Sequence, residues 1–242
     1  GPGDPELLTL KAVRALQTAT VILYDDLVGP DVLELARREA KRIAVGKRGG
    51  AASCKQGDIC AEIVRLALAG ETVVRLKGGD PGIFGRATEE VDACEAAGVP
   101  VSIVPGISSA QAAMASLNLS LTERKHARRV QFVTGHGADG QLPTDLDWAA
   151  LADPKATTVI YMPKKTLAAF AREAIAAGLD PATPALAIAN VARSDQRHVA
   201  ASISALAADL AKLPAGAPVT VVIGQVARAL LAQPAPAESL AA

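Results

Sequence analysis

Four glycine-rich loops hold most of the residues whose types could do chemistry. They are Gly1-Pro2-Gly3-Asp4-Pro5, Gly46-Lys47-Arg48-Gly49-Gly50, Lys77-Gly78-Gly79-Asp80-Pro81-Gly82-Ile83-Phe84-Gly85-Arg86 and Pro105-Gly106-Ile107-Ser108-Ser109. Glycine allows backbone angles closed to other residues and close approach of a ligand. None of the loops is a GxxxxGK[ST] phosphate loop or a GxGxxG turn, which argues against ATP and NAD. Asp4 and Asp80 lie inside two of the loops. A carboxylate repels a pyrophosphate and attracts a sulfonium or an ammonium. The pattern therefore favours a ligand carrying positive charge, such as S-adenosylmethionine (SAM). Capping of the following turn by either carboxylate stays open as the alternative.

Basic residues gather in and near the same loops: Lys47, Arg48, Arg75, Lys77 and Arg86, then Arg124, Lys125, Arg128 and Arg129. In a chain with 25 basic and 25 acidic residues this is local concentration rather than overall excess. Guanidinium groups grip carboxylates through parallel hydrogen bonds, so a polyanionic small molecule is one reading of the cluster. A solvated face is the other, less so for Arg75, which sits in a run of strand residues. His126, His136 and His198 have no metal-binding spacing with cysteines or carboxylates, and no metal is expected. There is no GxSxG or HExxH motif and no nucleophile–base pair, so a covalent enzyme intermediate is not expected.

The elements that must position these loops alternate in period. Helical spacing runs over 7–18, 31–38, 59–69, 88–97 and 109–117; short apolar strands fall at 21–24, 42–45, 72–76 and 101–104. This alternation marks an α/β domain with a largely parallel sheet, in which function sits in loops at strand ends. Gly1–Pro5 reads as a loop that should follow a strand, so the natural chain is expected to start upstream. The polar, basic stretch 119–129 breaks the rhythm. Strands are then expected at 130–134, 157–162, 185–190, 196–201 and 219–223, with helices at 166–177 and 203–213. The expected organisation is an α/β domain over 1–122 and a second over 123–242, with an Ala/Pro-rich tail from about Gln233.

Half of the residues are hydrophobic, enough for a sizeable core. Zero net charge and 2% aromatics exclude a general nucleic-acid binder. No apolar run reaches the ~18 residues of a membrane span. Cys54, Cys60 and Cys94 form no CxxC pair and read as reduced thiols of a cytoplasmic protein.

Several segments in one order carry a family resemblance: GPGDPELLT, YDDLV, VGKRGG with a later Gln56, VRLKGGDPGIFGR, VPGISSA, VQFVTGH and the strand end at Tyr161-Met162. Together they resemble the SAM-dependent uroporphyrinogen-III C-methyltransferases of the tetrapyrrole methylase superfamily, over nearly the whole chain. The most specific element is KGGDP followed by IFGR, with GKR upstream. The resemblance implies two α/β domains with a SAM-binding cleft between them, the class III methyltransferase fold, and a cytoplasmic homodimer that needs no metal and has no nucleic-acid or membrane partner. It implies methyl transfer from SAM to C2 and C7 of uroporphyrinogen III, giving precorrin-2 for siroheme or cobalamin. A later precorrin C-methyltransferase is the nearest alternative. The family's SAM contacts fall on Pro2, Gly78, Gly79, Asp80, Ile83, Ser108, Ser109, Met162 and Val191. Its acid–base residues fall on Asp25 and Lys47, and Arg75 is a further polar residue of the tetrapyrrole site. The chain departs from the usual pattern at Ser108-Ser109, Gly82, Ala87-Thr88, Glu123 and Val191.

Overall fold

The computed structural model of the chain describes residues 1–46, 54–137 and 139–231. Two compact units emerge, Gly1–Ser109 and Ala110–Ala242; the sequence rhythm places its break later, in the stretch 119–129.

The first unit is built on a parallel sheet in the order β2-β1-β3, with β1 (Val21–Tyr24) between β2 (Lys41–Ala44) and β3 (Val73–Leu76). Successive strand residues face opposite ways, and β1 is apolar on both sides. Ile22 joins a core with Leu16, Val32, Ala36, Ala40 and Leu76, on the side of α1 (Leu10–Thr18) and α2 (Pro30–Leu33). Val21 and Leu23 join another with Ile59, Ile63, Leu66 and Cys94, on the side of α3 (Gln56–Leu68) and α4 (Ala87–Ala96). A parallel sheet covered on both faces needs this continuous run of apolar residues.

Two expected elements are corrected. The helix over 31–38 shrinks to the single turn of α2. Beyond it, Leu35 and Ala36 donate to carbonyls three residues back. These tighter turns still carry Val32, Ala36 and Ala40 into the core. Residues 101–104 join no sheet. Their apolar character is used differently: Val101, Ile103 and Val104 line a cavity of about 570 Å³ with Val73, Val74 and Leu8. Val101 and Ile103 stay 43% and 48% exposed, so strand-like composition reports apolar residues beside a cavity, and pairing is a separate condition.

The second unit opens with α5 (Ser109–Ser116), whose first residue closes the first unit. Its five-stranded sheet has the order β4-β5-β8-β6-β7: β4 (Arg129–Thr134), β5 (Ala156–Tyr161), β8 (Val219–Ile223), β6 (Pro184–Ala189) and β7 (Arg197–Ser202). Strand β4 runs parallel to β5, while β8 is antiparallel to both β5 and β6. The carboxyl ends of β4, β5 and β6 therefore share one edge of the sheet. One face packs on α6 (Trp148–Leu151), α7 (Leu167–Ala176) and α8 (Ile203–Asp209) through Ile160, Ala187, Val221, Leu167, Phe170 and Ile203. Helix α6 is a single turn capped by Asp147, too short for periodicity to reveal. It brings Trp148 to 5.3 Å from Phe170, ring centre to ring centre. A one-turn α9 (Arg228–Leu231) ends the described chain, and the expected tail from Gln233 lies outside the described residues.

Phe170 is 1% exposed, and its removal leaves a cavity against the only tryptophan of the chain. Phe170→Ala is expected to cost roughly 3–5 kcal/mol, measured as a lower urea midpoint of the second unit followed by Trp148 fluorescence.

Candidate functional site

The glycine-rich loops of the first unit are held together by backbone contact that side chains would prevent. Gly79 takes φ +84°, and a Cβ on Gly1 would stand 1.9 Å from the Gly79 nitrogen. A Cβ on Gly106 would stand 2.4 Å from the Gly79 oxygen. The Gly1, Lys77 and Pro105 loops thus meet main chain to main chain at Gly78-Gly79. Asp80 fastens the arrangement, with Oδ1 accepting from the Gly82 amide at 2.8 Å and Oδ2 from the Gly106 amide at 3.1 Å. Asp4 accepts from the Glu6 amide at 2.8 Å. Both loop carboxylates therefore cap and tie the loops, the alternative that the residue types left open.

A second constellation lies at the carboxyl ends of β1 and β3. Register pairs Tyr24 with Leu76 and Leu23 with Arg75, so Asp25 follows β1 beside the end of β3. The Arg75 side chain is only 11% exposed. Its Nη2 donates to Asp25 Oδ1 at 2.5 Å, Nε to Glu90 Oε1 at 3.1 Å, and Nη1 to the carbonyls of Leu76 at 3.0 Å and Leu23 at 3.4 Å. Lys77 Nζ also donates to Glu90 Oε1, at 2.9 Å, and to the Gly85 carbonyl at 2.5 Å. Gln56 Nε2 makes a third donor to the same oxygen, at 3.1 Å. Two carboxylates thus balance two cations. Balance matters here, because a charge removed from water without partners is strongly unfavourable.

Of the sequence-predicted residues, the first unit brings Pro2, Gly78, Gly79, Asp80 and Ile83 into the tied loops, with Ser108 and Ser109 buried at the unit's end. The Ile83 amide closes a turn onto the Asp80 carbonyl at 3.2 Å. Asp25 and Arg75 are in direct contact, Asp25 half-buried and Asp26 exposed. Lys47 lies outside the described residues, with Arg48, Gly49 and Gly50. In the second unit, Met162 follows β5 and Val191 follows Asn190 beyond β6, at the shared edge of carboxyl ends. Met162 has φ +57° and is 44% exposed, while Val191 is 4% exposed. Asn190 and Ala192 also have positive φ, a cost for residues with a Cβ that clusters where structure serves a site.

Two residues of the basic run 124–129 bond within their own unit. Arg128 donates to the Arg124 carbonyl and Arg129 pairs with Asp153 at 3.1 Å. Glu123 pairs with Arg228, whose hydrogen bonds hold its carboxyl below the usual carboxylate range. Arg86 pairs with Glu89. His136 sits after β4 with Nδ1 2.9 Å from the Gly137 carbonyl, and burial pushes the Cys94 thiol up. Among the described residues no group of His, Cys, Asp or Glu has a metal-site arrangement. What sequence reading missed is Glu90 as the partner that Arg75 and Lys77 share. Glu90 had a signal: Ala87, Glu90, Val91 and Cys94 share one helix face, and that face is inward.

With this geometry in hand, comparison places the chain. The sequence profile of the tetrapyrrole (corrin/porphyrin) methylases matches residues 1–207, and the chain belongs to that family. It is 46% identical over 228 residues to a uroporphyrinogen-III C-methyltransferase of Paracoccus denitrificans, covering 94% of this chain and 79% of that protein. It is 45% identical to a siroheme synthase of Methylococcus capsulatus over 93% of this chain, but spans only 48% of that longer relative. The crystal structure of a uroporphyrin-III C-methyltransferase from Thermus thermophilus, complexed with S-adenyl homocysteine, superposes with a TM-score of 0.79 at 38% identity, covering 95% of this chain and 96% of that one.

Gly106→Ala forces the Gly79 and Gly106 backbones apart, and no flexible side chain can yield. It is expected to destabilise the first unit by roughly 1–3 kcal/mol, read as a lower melting temperature. Ala on the open Gly98 turn has no neighbour within 4 Å and only the φ +70° strain to bear, and serves as the comparison.

Proposed function

We propose that this chain transfers methyl groups from SAM to C2 and C7 of uroporphyrinogen III, giving precorrin-2 and S-adenosylhomocysteine. The observation that carries the reading is the tied junction of the KGGDP and Pro105 loops, kept in a chain 46% identical to a uroporphyrinogen-III C-methyltransferase. The donor set fits SAM. The junction offers closely apposed backbone rather than a phosphate-binding helix turn, with an exposed, strained Met162 in the second unit. The proposed SAM contacts are Pro2, Gly78, Gly79, Asp80, Ile83, Ser108 and Ser109 of the first unit and Met162 and Val191 of the second. Asp80 contributes by fixing loop shape, and buried Val191 through its backbone.

Bound SAM supplies a methyl group already activated by its sulfonium. The protein's task is to align the attacking pyrrole carbon and to manage the proton that the ring then loses. Alignment is worth up to roughly 7–11 kcal/mol in favourable cases. Asp25 is the proposed proton acceptor, directly or through water, a role typically worth ~10²–10⁴-fold. Lys47 is the proposed partner that returns a proton or holds a propionate. Arg75 is largely occupied within the unit, so it serves this site through Asp25 more than by gripping substrate. The same reading makes the protein a homodimer of the cytoplasm without nucleic-acid or membrane partners. Zero net charge supports the absence of a nucleic-acid partner, and three cysteines outside disulfides fit a reducing compartment; among the described residues no helix is long and apolar enough to cross a membrane.

The test is single-turnover transfer from methyl-labelled SAM to uroporphyrinogen III. Wild type should label the acceptor. Asp25→Asn should lose ~10²–10⁴-fold in rate with S-adenosylhomocysteine affinity unchanged and a lower melting temperature, because Arg75 keeps one carboxylate of two; Asp26→Asn should lose little. Absence of labelling in the wild type overturns the reading, and a large loss in Asp26→Asn with a normal Asp25→Asn reverses the assignment. A second outcome concerns Met162. Met162→Gly relieves a left-handed backbone and should leave the melting temperature unchanged or raised, while calorimetry shows weaker S-adenosylhomocysteine binding. Unchanged binding removes the Met162 side chain from the SAM contacts.

A further inference from the structure

Glu90 belongs to no motif, yet its carboxylate gathers three side-chain donors. One oxygen, Oε1, receives Arg75 Nε at 3.1 Å, Lys77 Nζ at 2.9 Å and Gln56 Nε2 at 3.1 Å. The residue is 7% exposed, on the inward face of α4. Three donors exceed the two lone pairs of a single oxygen, and two of them are cationic side chains, so charge as well as hydrogen bonding holds the contact. The donors come from α3, β3 and the loop after β3, so Glu90 is where three segments of the chain converge.

The consequence falls on Arg75. With Nε held by Glu90 and Nη1 by two carbonyls, the guanidinium plane has one orientation left. In that orientation Nη2 meets Asp25 Oδ1 at 2.5 Å. Without Glu90 the fork could rotate and offer Asp25 two parallel donors, the geometry guanidinium and carboxylate prefer. That would engage both oxygens of the group that has to receive a proton. Lys77, released from the same oxygen, would lose one of its two anchors at the start of the KGGDP loop.

We propose that Glu90 is a positioning residue for methyl transfer: it pins Arg75 so that Arg75 holds Asp25 by one oxygen only. The inference rests on the reading of Asp25 as proton acceptor and is tested so that the two can fail separately. Wild type, Asp25→Asn, Glu90→Gln and the double variant are compared in single-turnover transfer from SAM to uroporphyrinogen III, with SAM affinity and melting temperature measured on each. Gln keeps the shape of Glu90 and removes its charge.

Glu90→Gln alone should slow transfer roughly 10- to 100-fold, as expected of sub-ångström to 1 Å misplacement, with SAM affinity within twofold. In the Asp25→Asn background it should slow transfer no further, because the residue it acts through is already gone. A general packing role gives the same loss in both backgrounds and overturns the proposal, as does wild-type transfer by Glu90→Gln. If Asp25→Asn itself transfers normally, the reading of Asp25 falls and takes the proposal with it. Should Glu90→Gln not fold, Arg75→Lys replaces it in the same cycle. Lysine keeps the charge but cannot reach Glu90, Asp25 and two carbonyls together. Equal losses in the two Asp25 backgrounds again overturn the proposal, and loss confined to the Asp25 background supports it.

Discussion

Burial of a guanidinium inside a small parallel sheet is the constraint on which the first unit depends. Arg75 occupies a strand position whose neighbours are Val74 and Leu76, and it cannot return to water without unpairing β3 from β1. Its charge has to be met where it stands. Asp25 and Glu90 meet it, and Lys77 balances the second carboxylate. Removing any one partner leaves an uncompensated charge out of water, which is far more costly than the intact pairs are favourable. The cluster therefore specifies an arrangement more than it adds stability, and it specifies the arrangement at the carboxyl ends of the strands.

The second organising device carries no charge. Where Gly1, Gly79 and Gly106 come together, the absence of side chains is the interaction, and Asp80 converts proximity into attachment through two amides. Lys77 links the two devices, since it starts the KGGDP loop and ends on Glu90 and the Gly85 carbonyl. Loop shape and charge placement are thus one structure read from two ends.

Much of this was legible in the residues. Strands β1 and β8 fall where apolar runs put them, and the Lys77 loop follows β3 as an α/β sheet requires. The family resemblance selects Asp25 over Asp26, and the structure has one half-buried and the other exposed. What could not be read has physical reasons. Strand character at 101–104 comes from alternate apolar residues that line a cavity and stay partly exposed, and it says nothing about a pairing edge. That Asp4 and Asp80 accept from loop amides depends on backbone positions that residue types do not give. Glu90 stands beside Glu89 in an ordinary helical sequence, and only the inward face distinguishes them. Arg75 was visible as a charge in a strand; that its donors are consumed internally depends on carbonyls and side chains from distant segments.

Chain connectivity gives the charge cluster a place in time. Asp25 and Arg75 are 50 residues apart, and they meet only once β1 and β3 lie side by side. Parallel neighbours of this kind close long loops before any contact rewards them, so such pairing forms slowly and late. Helices α3 and α4 can form locally before then, but Glu90 has no guanidinium to receive until the sheet is registered. A β3 slipped by one residue turns Arg75 to the opposite face, away from both carboxylates. The cluster thus acts as a check on strand register, satisfied by the correct alignment and left with unmatched charges by its neighbours.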